Sequence, residues 1–189
     1  MAMNPPVPAT RLIAYSGGAR GEWRVLSVRP VRGASLPEVA RLAVTSPPVE
    51  PSPQSVWSLR GALSNVRYIT RPEQTELQTR QPPLNRPEAN RAALIPIRKS
   101  HQWWEMTQEE RREVFEEKSH HVRDSMKYLP AVARRLVHSR DLGEPFDFLT
   151  WFEYAQEDAE VFEQLVMHLR RTAEWEYVER EVDIRLARE

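Results

Sequence analysis

The sequence contains no cysteine. That excludes a disulfide scaffold, thiolate-bound zinc, iron–sulfur clusters, covalently attached haem and a cysteine nucleophile, and leaves His, Met, Tyr or carboxylate to ligate any metal. Glycine is scarce, six residues against sixteen prolines, and the prolines gather at 5–8, 47–53 and 82–86, where they punctuate the chain. No window approaches the roughly 18 apolar residues of a membrane-spanning helix. Residues 1–15 lack a basic segment followed by an apolar one, so the expectation is a soluble, cytoplasmic protein. Charge of one sign is also missing, because 27 Lys and Arg balance 27 Asp and Glu over 189 residues, without the basic excess of a general nucleic-acid binder. None of the histidines at 101, 120, 121, 138 and 168 forms an HExxH or His-x-His chelate, which argues against a tight zinc site.

What is present reads as α+β. Residues 22–31 (EWRVLSVRPV) alternate as a strand does, and 55–70 (SVWSLRGALSNVRYIT) form a second strand bent at Gly61. The intervening 47–53 stretch cannot join a ladder and reads as an extended loop, while 71–79 is a short helix with Pro72 in its first turn. Residues 92–97 (AALIPI) are an apolar strand in which Pro96 argues for an edge or a bulge. Thr107 and Glu110 make a capping-box pattern opening a helix that runs to about 128, with Phe115, Val122, Met126 and Leu129 on one face and Pro130 closing it. Residues 131–139 and 146–154 are the strands of a hairpin, 158–171 place Val161, Phe162, Leu165, Val166 and Leu169 at helical spacing, and 175–186 alternate again. The order from 91 onward is β-α-β-β-α-β, the split βαβ or ferredoxin-like unit, whose two helices cover one sheet face. The other face needs cover too. The predicted architecture is therefore two ferredoxin-like halves, a truncated one over 1–90 and a complete one over 91–189.

Several residues could carry chemistry, each with a plainer alternative. His121 sits at the flank of the apolar helix face while His120 points to the polar side, so His121 is either a ligand or a partly buried, hydrogen-bonded histidine. Arg134 shares a strand face with Val132 and Leu136, and Arg135 shares the other with Ala133 and Val137. One of these arginines must enter an apolar layer, where it needs an anionic ligand or an internal salt bridge to a carboxylate such as Glu153. Lys99, Trp103 and Trp104 in RKSHQWW suit the carboxylate edge and flat body of a large aromatic ligand, or core packing below a surface cation. By position alone, Glu174 in AEWEYV is a solvated charge opening the last strand.

Taken together, GEWRVLSVRPVRGASL, WSLRGALSNVRYITR, NRPEANRAALIPIRKSHQWWEM, YLPAVARRLVHSRDL, DFLTWFEY and AEWEYV resemble the short, dimeric type of the chlorite dismutase family, within the dimeric α+β barrel superfamily. The most specific elements are IPIRKSxxWW and His121 thirteen residues before Arg134, with RxLxHS following. The resemblance implies a haem b cofactor whose iron is ligated by His121, with Glu174 accepting a hydrogen bond from the other ring nitrogen. It implies Arg134 as the catalytic distal arginine. Lys99, Trp103 and Trp104 would hold propionates and pack the haem edge. Arg67, Tyr68 and Ile69 would line it from the first half, Leu136, Thr150 and Phe152 would form the distal wall, and Gln81 would meet the arginine. The implied reaction converts chlorite to chloride and dioxygen, by oxygen transfer to iron that leaves hypochlorite and then recombination that forms the O–O bond. A homodimer is implied as well. Two other functions fit a porphyrin pocket, coproheme decarboxylation and haem binding or sensing without turnover; related decarboxylases generally lack the distal arginine.

Overall fold

The computed structural model describes residues 11–50, 52–64 and 68–188. The proline cluster at 5–8 and Arg67 lie outside these residues. Eight strands, β1 (Leu12–Gly18), β2 (Trp23–Arg32), β3 (Arg41–Thr45), β4 (Ser55–Leu63), β5 (Arg91–Lys99), β6 (Ala133–His138), β7 (Phe148–Tyr154) and β8 (Val178–Arg188), close into a barrel in the order β1-β3-β2-β8-β5-β7-β6-β4. All recorded pairings are antiparallel. Within the first four strands the order is 4-1-3-2, and within the last four it is again 4-1-3-2.

Strand alternation divides the protein into an inside and an outside. All eight strands send apolar side chains inward, including Ile13 and Tyr15, Trp23, Leu42, Leu59, Leu94, Val137, Leu149 and Trp151, and Ile184, and these pack into one core. The second sheet face is thus covered by the first-half strands themselves, through closure of the sheet. Outside, α5 (Ala159–Leu169) lays Phe162, Leu165, Val166 and Leu169 over Ala93, Ile95 and Ile97 of β5 and Phe152 and Tyr154 of β7. That i, i+3, i+4, i+7 set is the helical spacing visible in the sequence.

β1 and β2 lie on either side of β3, yet only residues 19–22 connect them, with no crossover helix. The chain steps past β3 at Gly21, whose φ is +147° and where a Cβ would lie 2.2 Å from the carbonyl carbon and oxygen of Leu42. Only glycine fits such an approach.

Three expectations are corrected. Pro96 is on a central strand, because β5 pairs with both β7 and β8; the ladder to β8 passes from Leu94↔Ile184 to Ile97↔Glu181, so the missing proline N–H falls where no bridge is made. The 55–70 strand ends at Leu63, and α1 (Arg71–Arg80) follows with Thr70 and Glu73 forming its capping box. The continuous helix expected from 107 to 128 is broken. It comprises α3 (Gln108–Arg112), a π-helical turn (Glu113–Lys118), a left-handed His120 at φ 50° and ψ 34°, α4 (His121–Ser125) and a 3-10 turn (Met126–Tyr128), while a separate short helix, α2 (His101–Glu105), precedes Thr107. The π turn and the left-handed residue reset the helix phase immediately before His121, a pattern common at functional sites.

Candidate functional site

Between the outer face of β5–β8 and the helices lies a cavity of about 1210 Å³, mouth included. Its barrel wall is built by alternation, with Ile95, Ile97 and Lys99 from β5, Arg134 and Leu136 from β6, and Phe148, Thr150 and Phe152 from β7. The facing wall is helical, with Phe115 from the π turn, His121, Val122 and Ser125 from α4, and Leu165, Val166 and Leu169 from α5. Tyr68, Ile69, Leu77 and Gln81, in or beside α1, close a third side.

His121 is held on two sides. Its ring stacks on Phe115 at 4.3 Å between centroids and 22° between planes, and Nδ1 lies 2.8 Å from Oε2 of Glu174. Because a carboxylate can only accept, Nδ1 is the donor of this pair, and Nε2 has no hydrogen-bond partner among the described residues.

Glu174 is buried, not solvated as its position in the sequence suggests. It sits in a 3-10 turn (Ala173–Tyr177) ahead of β8, and its N–H donates to Ser119 Oγ at 3.0 Å. Its other carboxylate oxygen accepts from Lys99 Nζ at 2.8 Å. Burial alone pushes this carboxyl up, but the Lys99 ammonium and His121 against it hold it well below the usual carboxylate range. Burial likewise pulls the Lys99 ammonium down, opposed first by Glu174. The lysine expected to reach a cavity carboxylate is therefore committed to a protein carboxylate instead, with its Nζ 4.4 Å above the Trp103 ring.

Arg134 enters from the opposite, barrel wall. Its guanidinium makes no hydrogen bond or ion pair with any described residue; burial lowers its pKa, and Glu174 opposes that. Arginine stays protonated even so, which leaves a cation without a counterion in a mainly apolar cavity. Glu153 is not its partner, because it lies on the inward face of β7, where it accepts from the Trp151 indole N–H at 2.8 Å. Arg135 points inward and interacts with Tyr15. Gln81 meets Arg134 at the main chain, donating from Nε2 to its carbonyl oxygen at 2.8 Å.

The expected residues His121, Glu174, Lys99, Trp103, Tyr68, Ile69, Gln81, Arg134, Leu136, Thr150 and Phe152 all line the one cavity. Trp104 does not. It stacks on Phe148 at 5.9 Å, donates to Asp147 Oδ2 at 3.1 Å, and its ring lies 5.0 Å from the Arg111 guanidinium and 4.1 Å from that of Arg140. Sequence reasoning missed Ser125, Tyr128, Leu77, Trp175 and Glu181, which also line it. Ser125 is one helical turn beyond His121 and Leu77 one turn before Gln81, so helical spacing from a known site residue could have found both.

The lining also leaves buried polar atoms without partners, namely Tyr68 Oη, Trp103 Nε1 and Ser125 Oγ. Such atoms are costly when nothing accepts their protons. With a histidine nitrogen, apolar walls and an unpaired guanidinium, they fit a large flat ligand that carries carboxylates and a metal able to take imidazole, as haem does.

A family model described as chlorite dismutase matches residues 41–189. A chlorite dismutase from Ideonella dechloratans is 34% identical over 86 residues, which are 46% of this chain and only 28% of that relative's length. The crystal structure of a dimeric chlorite dismutase from Nitrobacter winogradskyi is 59% identical with a TM-score of 0.87, covering 93% of this chain and 99% of that one. A structure of chlorite dismutase from Candidatus Nitrospira defluvii in complex with imidazole is 21% identical with a TM-score of 0.65, covering 93% and 90% of the two chains, a likeness of fold alone.

Proposed function

The chain belongs to the chlorite dismutase family, and we propose from this membership and the cavity chemistry that it is a haem b enzyme converting chlorite to chloride and dioxygen. The observation that carries the reading is Arg134, a guanidinium with no acceptor among the described residues, facing across a mainly apolar cavity towards the helix that bears His121. An enzyme for a small anion needs such an unspent positive charge, since a cation in a low-dielectric site attracts an anion far more strongly than it would in water.

When bound, haem supplies the redox-active iron at which chlorite is split. His121 Nε2 is the nitrogen that would ligate it. Glu174 fixes the tautomer and orientation of that ring and raises its basicity by accepting a hydrogen bond from Nδ1–H. Lys99 keeps Glu174 ionised. Tyr68, Trp103 and Ser125 would offer buried donors to the propionates and Ile69 an apolar surface to the ring, with Arg67 proposed for the haem edge from the sequence alone. Trp104 supports the haem edge through Phe148. Leu136, Thr150 and Phe152 shape the anion side, and the apolar walls limit water there. Arg134 would draw chlorite in and hold the small anion in place by its charge, while Gln81 holds the main chain that carries Arg134.

The same reading takes 1–90 and 91–189 as two copies of the ferredoxin-like unit, the first without its crossover helices, supported by the repeated 4-1-3-2 strand order. A homodimer is proposed, as the Nitrobacter winogradskyi relative is described as dimeric and β2 leaves Leu26 and Val31 exposed. A cytoplasmic location is proposed too; no described helix is long and apolar enough to cross a membrane. The test is to load the protein with haem b, add chlorite and record dioxygen on an electrode alongside the Soret band. Rapid release of one O2 and one chloride per chlorite is expected. Haem binding without O2 would overturn the enzymatic reading and favour sensing or porphyrin chemistry.

A further inference from the structure

Apart from the catalytic cavity, the least expected feature is a charged stripe beneath a helix. Val182, Ile184 and Leu186 of β8 face the barrel core, so Glu181, Asp183 and Arg185 face the helical layer, on the side where α5 lays an apolar stripe against β5 and β7. Burying such charges is expensive unless each is paired and hydrogen-bonded. Here each is. Glu181 is 1% exposed; its Oε2 accepts from the Trp175 indole N–H at 2.7 Å, and its Oε1 accepts from Arg170 Nε at 2.8 Å. Arg170 also donates to Asp183 at 2.8 Å, Arg185 pairs with the same Asp183, and Arg185 reaches Glu163 at 2.6 Å.

The inner end of this chain of pairs touches the site. Trp175 directly follows Glu174 in the same 3-10 turn, and Arg32 donates to the Trp175 carbonyl at 3.0 Å. Glu181 itself lines the cavity. Lys99, whose Nζ binds Glu174, lies 5.4 Å from the Trp175 ring centroid and also feels the Glu181 carboxylate.

We infer that Glu181 is a positioning residue for the His121–Glu174 pair, acting through Trp175, whose indole it anchors, and through Lys99, whose positive charge it shares. Anchoring the indole fixes the turn that presents Glu174. Sharing the lysine leaves more of the Glu174 negative charge to face His121 Nδ1–H, which makes the imidazole a stronger donor at Nε2. This inference rests on the proposed haem ligation by His121.

The test uses the full-length, haem-loaded protein and three variants. Glu181→Gln removes the charge but keeps the shape. Trp175→Phe keeps the charge but removes the indole donor. Asp183→Asn weakens the same Arg170 network one step further out and controls for a merely structural role. In Glu181→Gln and Trp175→Phe the iron–imidazole stretching frequency of the ferrous protein is expected to fall. The equilibrium constant for haem reduction is expected to rise about three- to tenfold, a tenfold change being ~59 mV for one electron. Asp183→Asn should leave the stretching frequency at the wild-type value and the reduction equilibrium constant within twofold of it, even where all three variants lose thermal stability alike. The inference is overturned if Glu181→Gln and Trp175→Phe shift no more than Asp183→Asn does; should Glu181→Gln fail to fold, Trp175→Phe decides alone. A wild-type protein without a histidine-ligated haem spectrum overturns both this inference and the proposed function, whereas a normal wild-type spectrum with coincident variants overturns the inference only.

Discussion

His121 Nδ1 and Glu174 Oε2 lie 2.8 Å apart although 53 residues separate them in the chain. One sits at the start of a helix that follows a left-handed residue, the other in a 3-10 turn, and neither placement follows from a regular element. Removing the carboxylate should free the imidazole to rotate and weaken its basicity. Glu174→Ala is expected to lower haem affinity by roughly 10- to 100-fold, the usual cost of losing such a partner. Titrating apoprotein with haem at the Soret maximum measures it, and an unchanged affinity would remove Glu174 from the site.

Arg134 should matter for turnover and little for haem loading. Arg134→Ala is expected to bind haem normally, to evolve O2 about 100-fold more slowly, the lower end of the cost of losing one charge-stabilising donor, and to bleach sooner during turnover. Stopped-flow spectra with an oxygen electrode read both, and unchanged turnover and lifetime would refute the role.

Arg112 ties α1 to the helical wall. It makes a bidentate pair with Glu73, at 2.8 Å for each contact, and also donates to the Tyr68 carbonyl oxygen. The Arg112 guanidinium holds the Glu73 carboxyl down at about 2, against an ordinary 4.5. Because the folded-state value is depressed, the stabilisation is complete above pH 4.5 and drains away as pH falls towards 2. Glu73→Gln should therefore cost about 1 kcal/mol at pH 7, discounted for partial solvation of the pair, and nothing near pH 2. Urea melts across that range provide the comparison, and a pH-independent difference would contradict it.

Gly21 gives a purely steric prediction. Gly21→Ala places a methyl group 2.2 Å from the Leu42 carbonyl and should destabilise the fold by about 3 kcal/mol. Gly143→Ala also sits at positive φ, +71°, but with no atom within 4 Å, so only about 1 kcal/mol is expected. Equal losses of melting temperature for the two variants would show that crowding at β3 is not what requires glycine.

The sequence made the second half legible because its periods are unambiguous. α5 repeats every three to four residues, and β6 and β7 alternate with a Gly-containing turn between them. Alternation also put Arg134 and Leu136 on one face and Arg135 and Val137 on the other. The partners of those arginines were not legible, since a strand's own pattern does not say which neighbour faces it. β1 and β3 were missed as individual strands, β1 because it ends in Ser-Gly-Gly and β3 because it is only five residues long. The break before His121 was hidden for a different reason. A π turn adds one residue while leaving Phe115, Val122 and Met126 apolar, so the sequence still scans as one helix. Lys99 was assigned to a ligand because nothing local reveals that Glu174 is buried beside it.

Barrel closure has a consequence for accuracy in the cavity. A strand in an open sheet can slip along its neighbour, and a one-residue slip exchanges the two faces. In β6 that exchange would bring Arg135 into the cavity in place of Arg134 and drive Arg134 into the core. A closed sheet has no free edge at which such a slip can be absorbed. The Tyr15, Trp23 and Trp151 side chains packed inside the barrel, none of which lines the cavity, thus act as a gauge that sets where the cavity's guanidinium stands. A residue inserted into a strand must therefore be taken up where it occurs, by a local irregularity such as β2 already carries between Val25 and Ser27, or else shift the register of its neighbours.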